Sequence, residues 1–208
     1  MDIVNMKAIH DAKSKKARQV VQSARDLFVR HGLRRVTVEE ISRKAGVSKV
    51  TFYKYFDNKS DVLKAVVGEM VREGLARYRA IMGSPAPFRE KVLAIIEMKL
   101  EQSEEAGMEF IRDLASHSDP EIASYVFGLK EESLREFIDD LKTLQASGKI
   151  RPDLKPEFIS YLYDLILESL KNDRLLSLYP SSKDLTAEWI NFLFYGIAGP
   201  RSRPGEGP

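Results

Sequence analysis

The chain has 208 residues, of which 43% are hydrophobic and 31% are charged. This is ordinary for a globular protein, and the length has room for one large domain or for a small domain fused to a larger one. It contains no cysteine, which excludes disulfides and thiolate metal sites and fits a reducing cytoplasm. The start of the chain lacks a secretory signal pattern, and the longest apolar run, residues 189–198, is far shorter than the ~20 residues of a membrane span. We therefore expect a soluble, cytoplasmic protein.

The net charge of +2 conceals an asymmetry along the chain. Residues 1–60 hold 14 Lys and Arg against 6 Asp and Glu, whereas residues 61–208 hold 19 against 25. A basic N-terminal part joined to an acidic remainder is typical of a nucleic-acid-binding module attached to a different domain. A solvated basic tail would give the same counts, so the charge alone does not decide between the two.

Apolar spacing predicts helices from the start of the chain, without the sustained alternation of a half-buried strand. The first helix is expected from about Ser14 to His31, and Gly32 ends it. Two short helices follow near residues 38–45 and 49–56. A fourth helix begins after Asn58, which is a suitable N-cap residue.

The two short helices form a helix-turn-helix pattern. Thr37 and Glu40 have the spacing of a capping box, and Gly46 follows the first short helix where a left-handed residue closes it. Phe52 and Phe56 lie one turn apart in the second short helix, so we expect both in the core. In a helix-turn-helix the second helix enters the major groove of DNA.

Proline and glycine divide the rest of the chain into further helices. The segment 83–87, GSPAP, cannot continue a helix, and a fifth helix is expected from Phe88 to about Ser103. Gly107 allows a break, and Asp119 followed by proline begins a helix that extends to about Ser147. Later helices are expected from Glu157 and from about Ser182 to residue 199. The sequence thus predicts an all-α fold.

Residues 17–67 resemble the N-terminal domain of the tetracycline-repressor (TetR) family of bacterial transcription regulators. The segments that carry the resemblance are Ala24, Leu27-Phe28, His31-Gly32, Thr37-Val38-Glu39-Glu40-Ile41, Ala45-Gly46-Val47-Ser48, Thr51-Phe52-Tyr53, Tyr55-Phe56, Asn58-Lys59 and Leu63. Val50 departs from the pattern, because many members have Gly, Ala or Pro there. The base preference therefore cannot be transferred from a relative.

Residues of the helix-turn-helix are the candidates for DNA contact. The hydroxyl and helix-start amides of Thr37 suit a phosphate, and tyrosine hydroxyls can bond phosphates as well. The resemblance implies that Tyr53 and Lys59 clamp phosphates while Lys49, Val50, Thr51 and Lys54 face the bases. Partial burial is the alternative for Tyr53 and Tyr55. The full set is Thr37, Ser48, Lys49, Val50, Thr51, Tyr53, Lys54, Tyr55 and Lys59.

The apolar C-terminal segments predict a homodimer. Residues 157–179 and 184–198 carry more apolar side chains than one narrow core stripe requires, and a helix that is apolar all round must be buried on all sides. The resemblance implies that the last two long helices pair with those of a second copy, and a two-fold dimer predicts a palindromic operator in double-stranded DNA. A fully intramolecular core is the alternative. The interface candidates are Leu162, Leu165, Ile166, Trp189, Phe192 and Leu193.

The central helices offer candidates for a small-molecule pocket, which the resemblance leads us to expect. Met98, Phe110 and Tyr125 are large enough to line an apolar cavity, and His117 could orient a ligand. Ordinary core packing, or for His117 a solvated face, is the alternative for each residue. We expect an unidentified apolar or amphiphilic effector.

Enzymatic function is not indicated. The three histidines are scattered, and the sequence has no HExxH, glycine-rich phosphate loop or GxSxG pattern. We expect no catalytic residue, no metal, no cofactor and no membrane partner. The predicted domains are a DNA-binding domain at 1–60, a helical effector-binding and dimerisation domain at 61–199, and a disordered tail at 200–208. The expected function is a repressor released from its operator by a ligand, with a ligand-free DNA-binding dimer as the alternative.

Overall fold

The computed structural model describes residues 15–150, 152–169 and 172–195. These ranges contain ten α-helices and no strand, which confirms the all-α prediction. The helices are α1 (Lys15–His31), α2 (Val38–Lys44), α3 (Lys49–Tyr55), α4 (Lys59–Gly83), α5 (Phe88–Ala106), α6 (Met108–Ala115), α7 (Pro120–Ala146), α8 (Pro156–Ser169), α9 (Asp173–Leu176) and α10 (Ser182–Tyr195). No helix in these ranges has the length and apolar character needed to cross a membrane.

A small apolar core holds the first three helices against the start of α4. Phe28 of α1, Ile41 of α2, Phe52 of α3 and Val62 of α4 are fully buried in it. Phe56, which follows α3, is 3% exposed, so both phenylalanines predicted for the core are confirmed there. We call α1–α3 the head.

The long helix α4 joins the head to the rest of the protein. It begins beside the head and packs along α1, α5 and α7. Its 25 residues give a rod about 37 Å long. The predicted domain boundary at residue 60 lies in the first turn of this continuous helix. Any movement of α4 as a rod therefore affects both parts.

The remaining helices surround α4 in a second layer. Helix α6 packs against α1, α7 packs against α4 and α8, and α10 packs against α5. The breaks at residues 84–87 and at Gly107 lie where the sequence predicted them. The short helix α9 was not predicted, although Asn172 caps it by accepting a hydrogen bond from the Leu175 amide at 3.1 Å. The predicted disordered tail lies outside the described residues.

Gly32 ends α1 with a left-handed backbone, φ +74°, directly beneath α6. A Cβ atom there would lie 2.8 Å from Oδ2 of Asp113 and 3.0 Å from Cγ of Glu109. Gly46, between α2 and α3, has φ +65° but open space around the same position. Both positions have a left-handed backbone, which favours glycine. Of the two, only Gly32 also has neighbouring atoms that leave no room for a side chain.

This pair of glycines provides a matched test. We expect Gly46→Ala to lower the free energy of unfolding by about 1 kcal/mol, because an L-residue is strained in the left-handed region. Gly32→Ala should cost about 2–4 kcal/mol, because crowding against α6 adds to that strain. Urea denaturation measures both. Equal losses would contradict the close approach of α6 to the end of α1.

Candidate nucleic-acid interface

Helix α2 begins with the capping box that the sequence predicted. The Thr37 hydroxyl accepts from the Glu40 amide at 3.3 Å, and Glu40 Oε2 accepts from the Thr37 amide at 2.8 Å. The bond from the Thr37 amide, together with a second bond that the same carboxylate accepts from the Thr37 hydroxyl at 2.9 Å, lowers the pKa of the Glu40 carboxyl. Thr37 itself is exposed, so its hydroxyl is accessible at the start of the helix. Contact of Thr37 with a phosphate stays a prediction.

Helix α3 presents one face to solvent and the opposite face to the core. Val50 is 81% exposed and Tyr53 is 52% exposed, and the neighbouring Lys54 is exposed as well. The buried ring of Phe52 holds Tyr53 in an edge-to-face contact with centroids 5.4 Å apart. Because these outward residues lie at i, i+3 and i+4, they form one continuous ridge. The ridge has the position and composition expected of a surface that enters a groove of DNA.

The other candidates on α3 have local roles. The Ser48 hydroxyl caps the helix by accepting from the Thr51 amide at 3.1 Å, and it also shares a hydrogen bond with the Thr51 hydroxyl. Tyr55 is partly buried against the core of the head, with the ammonium of Lys54 6.0 Å from its ring centroid. Partial burial, the alternative considered for both tyrosines, therefore describes Tyr55 better than Tyr53.

Lys49, at the start of α3, forms an ion pair with Glu39 of α2. Both side chains are more than half exposed, so the pair lies at the surface. The hydrogen bond from Lys49 lowers the pKa of Glu39, and the carboxylate raises the pKa of Lys49. Part of the positive charge that Lys49 could offer to DNA is therefore neutralised within the head. Sequence reasoning missed this role of Glu39, since the carboxylate and the ammonium come together only across the turn.

Lys59 is directed into the protein rather than away from it. Its ammonium donates to the carbonyl oxygens of Leu33 at 2.9 Å and Val36 at 3.0 Å, and burial lowers the pKa of the side chain. An ammonium has three N–H donors, so one remains after these two bonds. The phosphate contact predicted for Lys59 would use that third donor. In the structure, the principal contact of the Lys59 ammonium is with the loop between α1 and α2.

Asp113 holds the same loop from the other side. Its carboxylate is buried at the end of α6, where Oδ2 accepts from the Leu33 amide at 2.8 Å, across 80 positions of sequence. Oδ1 lies 3.6 Å from Nε of Arg34. The loop is thus fastened to α6 by a carboxylate and to α4 by an ammonium. We call Asp113 and Lys59 the loop clamp. Neither residue lies near the loop in sequence, so no local pattern could have identified these contacts.

The candidates for a ligand pocket are dispersed. Met98 is 1% exposed and Phe110 is 2% exposed, both in packed core, while Tyr125 is half-buried between α7 and α4. His117 lines a polar cleft of about 220 Å³ together with Arg34, Lys59 and Asp113. A larger cleft of about 430 Å³ lies elsewhere, between the end of α4, the start of α5 and α7. A pocket formed by the four predicted residues stays a prediction.

The dimer candidates on α8 and α10 include large apolar side chains in contact with solvent. Leu165 is 46% exposed and Phe192 is 49% exposed, and Phe158 and Tyr161 on α8 are more exposed still. Leu162, Ile166 and Trp189 are partly buried. The Trp189 ring packs edge-to-face on Phe192, and its Nε1–H is buried without a hydrogen-bond partner among the described residues. The side chain of Leu193 lies outside the described part of the structure.

Comparison with known proteins identifies a family match and relatives of this chain. Residues 20–66 match the model of bacterial regulatory proteins of the tetR family, which covers the head and the start of α4. Over 88% of this chain and 81% of the relative, the sequence is 24% identical to the transcriptional repressor KstR2 of Mycolicibacterium smegmatis. That likeness extends well beyond the head.

Solved structures share the whole fold. The fatty acid degradation regulator FadR of Bacillus halodurans matches with a TM-score of 0.72 and 19% identity, over 90% of this chain and 98% of that protein. FadR of Bacillus subtilis, solved in complex with stearoyl-CoA, matches with a TM-score of 0.65 and 19% identity, over 86% and 98%. At these identities the structural likeness concerns the fold alone.

The Lys49–Glu39 pair generates a prediction. In Glu39→Gln, Lys49 loses its carboxylate partner and the head loses a negative charge, so affinity for duplex DNA should rise several-fold at low salt. The slope of log affinity against log salt should become steeper by about one. Fluorescence anisotropy over a salt series measures both. The exposed Glu132→Gln on α7 is the control with equal charge change, and equal effects of the two variants would contradict a local role of Glu39.

Proposed function

Because the chain belongs to the TetR family of bacterial transcription regulators, we propose that it is a homodimeric repressor released from a palindromic operator by a small ligand. The observation that carries the DNA-binding part is the exposed ridge of α3. Val50, Tyr53 and Lys54 project from a helix whose opposite face is locked into the core by Phe52. A helix fixed in this way can present its outward side chains to DNA in a defined geometry.

The proposed contacts divide into two groups. Val50 and Lys54 on the outward ridge, with Lys49 and Thr51 beside them, are assigned to base edges, where lysine suits guanine and the apolar groups suit thymine methyls. Thr37, Ser48, Tyr53, Tyr55 and Lys59 are assigned to the phosphates of the flanking backbone. Phosphate contacts position the head, while base contacts select the sequence. The two groups should therefore respond differently to substitution.

Dimerisation is proposed through α8 and α10. Phe158, Tyr161, Leu165 and Phe192 expose apolar surface on these two helices, and a patch of that kind indicates a protein interface. The buried Nε1–H of Trp189 has no acceptor within the described ranges and could find one on a partner subunit. One head contacts only a few base pairs, whereas two heads related by a two-fold axis read a palindrome with half-sites in successive major grooves.

A lipid-like effector is supported by the relatives. The FadR of Bacillus subtilis was solved with stearoyl-CoA, and other relatives are named as a ketosteroid regulator and a fatty acid metabolism regulator. An apolar or amphiphilic effector agrees with these names. Release would proceed through α4 and α6, because both contact the loop that ends at α2. A coupling of about 1–3 kcal/mol suffices for a 5- to 150-fold loss of affinity.

A DNA-binding dimer without a ligand is the second candidate. The complete burial of Met98 and Phe110 in packed core favours it, since these side chains fill space that a central ligand would need. The two candidates predict different behaviour of the operator complex. A ligand-free regulator keeps its operator affinity in the presence of amphiphiles, whereas the proposed repressor loses it.

The first test selects bound sequences from random duplex DNA with the wild-type chain and two variants. Wild type should yield a palindromic consensus. Tyr53→Phe should keep the consensus and bind all sequences several-fold more weakly, because a phosphate contact carries no sequence information. Val50→Gly should change the preferred bases. Recovery of no consensus with the wild type would contradict sequence-specific binding. An unchanged base preference in Val50→Gly would contradict the assignment of Val50 to base edges.

The second test addresses the dimer. We expect Leu165→Glu to convert the dimer to a monomer, because a carboxylate in an apolar interface is costly to desolvate. Light scattering after size exclusion measures the mass, and circular dichroism verifies that the helices remain. Phe127→Glu is the control, since Phe127 is 58% exposed on α7, outside the proposed interface. A dimer that survives Leu165→Glu would place the interface elsewhere.

A further inference from the structure

The cleft between the end of α4, the start of α5 and the second half of α7 has a volume of about 430 Å³, within the range of small-molecule sites. We propose that it binds a small amphiphilic anion, an apolar chain that ends in a carboxylate. This inference rests on the proposed function, because it makes the cleft the effector site. It differs from the pocket expected around Met98 and Phe110, which are in packed core.

The apolar part of the site is supplied by three different segments. Met82 lies in the last turn of α4, Phe88 begins α5, and Leu144 lies near the end of α7. Aliphatic and aromatic side chains of this kind favour a hydrocarbon chain over a polar molecule. The thioether of methionine also adapts to ligands of different shape. The cleft is therefore suited to an apolar chain rather than to a sugar or a nucleotide.

The acids that line the cleft are already engaged by protein groups. Arg79 donates to both carboxylate oxygens of Glu136, each at 2.7 Å, which joins α4 to α7. Asp140 accepts from the hydroxyl of Tyr78 at 2.7 Å. Burial raises the pKa of Tyr78, and the bond to Asp140 raises it further, so this hydroxyl remains a donor. An amine ligand would have to compete with these donors.

The lysines that line the cleft are not neutralised in the same way. Lys91 donates to a neutral acceptor, the carbonyl oxygen of Met82, at 2.6 Å. Lys149 is exposed at the rim, and its ammonium has no ion-pair partner within the described residues. Arg79 neutralises Glu136, and the hydroxyl of Tyr78 leaves the charge of Asp140 uncompensated. Lys91 and Lys149 therefore stand against one carboxylate, and the lining carries one net positive charge. A carboxylate placed between the two ammonium groups would gain two charge-assisted hydrogen bonds.

Occupation of this cleft would act on the helix that reaches the head. Arg79, which pairs with Glu136 of α7, and the carbonyl of Met82 lie on the last turns of α4. Lys59, at the first turn of the same helix, holds the loop before α2. A carboxylate that withdraws Lys91 from Met82, or Arg79 from Glu136, changes how the end of α4 rests on α5 and α7. Because α4 is continuous, that change is transmitted along its axis.

The test compares three probes with the same chain and different head groups: decanoate, 1-decanol and decylamine. Isothermal titration calorimetry of the full chain without DNA should show saturable binding of decanoate, weaker binding of 1-decanol and no binding of decylamine. Lys149→Glu should weaken decanoate about tenfold or more, the loss expected when a charge-assisted hydrogen bond is replaced by repulsion. Lys142→Gln, an exposed lysine on α7 outside the cleft, should bind like the wild type.

Three results would overturn the site: no binding of decanoate, equal binding of all three probes, or an unchanged affinity in Lys149→Glu. DNA affinity measured separately distinguishes this inference from the proposed function. If the protein binds a palindromic operator but no decanoate, the proposed function stands and the assignment of the cleft fails. Saturable decanoate binding that leaves operator affinity unchanged overturns the assignment of the cleft as effector site.

Discussion

The loop between α1 and α2 is held by two charged side chains that come from outside the head, and these side chains join the head to α4 and α6. This loop has no helix or strand partner for its backbone, so its amides and carbonyls must be satisfied by other groups. Asp113 accepts from the Leu33 amide, while Lys59 donates to the carbonyls of Leu33 and Val36. Each such group left buried and unpaired would cost about 1–3 kcal/mol. The clamp therefore sets where α2 begins.

The helix-turn-helix that follows is too short to be stable by itself. Helices α2 and α3 have 7 residues each, well below the length at which isolated helices form in water. Side-chain caps at Thr37 and Ser48 satisfy their first amides, and Phe52 fixes α3 to the core. The exposed ridge of α3 is therefore rigid because its buried side is rigid. A short helix with one buried face and one exposed face is suited to presenting side chains to DNA.

The helices beyond the head carry two surfaces of different character. Its apolar side chains on α8 and α10 meet solvent in a single chain, so they are suited to a partner subunit. The cleft beside the end of α4 combines apolar side chains with two lysines that pair with no carboxylate in the part of the chain that the structure describes, so it is suited to an anion with an apolar chain. One long helix, α4, connects the cleft to the loop clamp. A ligand bound in that cleft, as proposed, would lie towards the opposite end of this helix from the head, and the continuous helix would provide a direct physical route between them.

The sequence by itself determined the features that depend on neighbours along the chain. Caps at Thr37, Asn58 and Asp119, the glycine after α1 and the spacing of Phe52 and Phe56 specify helix ends and buried faces through local geometry, and the structure confirms them. Tertiary structure alone decided which charged groups meet. Lys49 meets Glu39 because the turn folds α3 back onto α2. Asp113 meets Leu33, and the lining of the cleft comes together, because segments distant in sequence pack side by side. A cavity is the space that such packing leaves open, so no periodicity in the sequence encodes it.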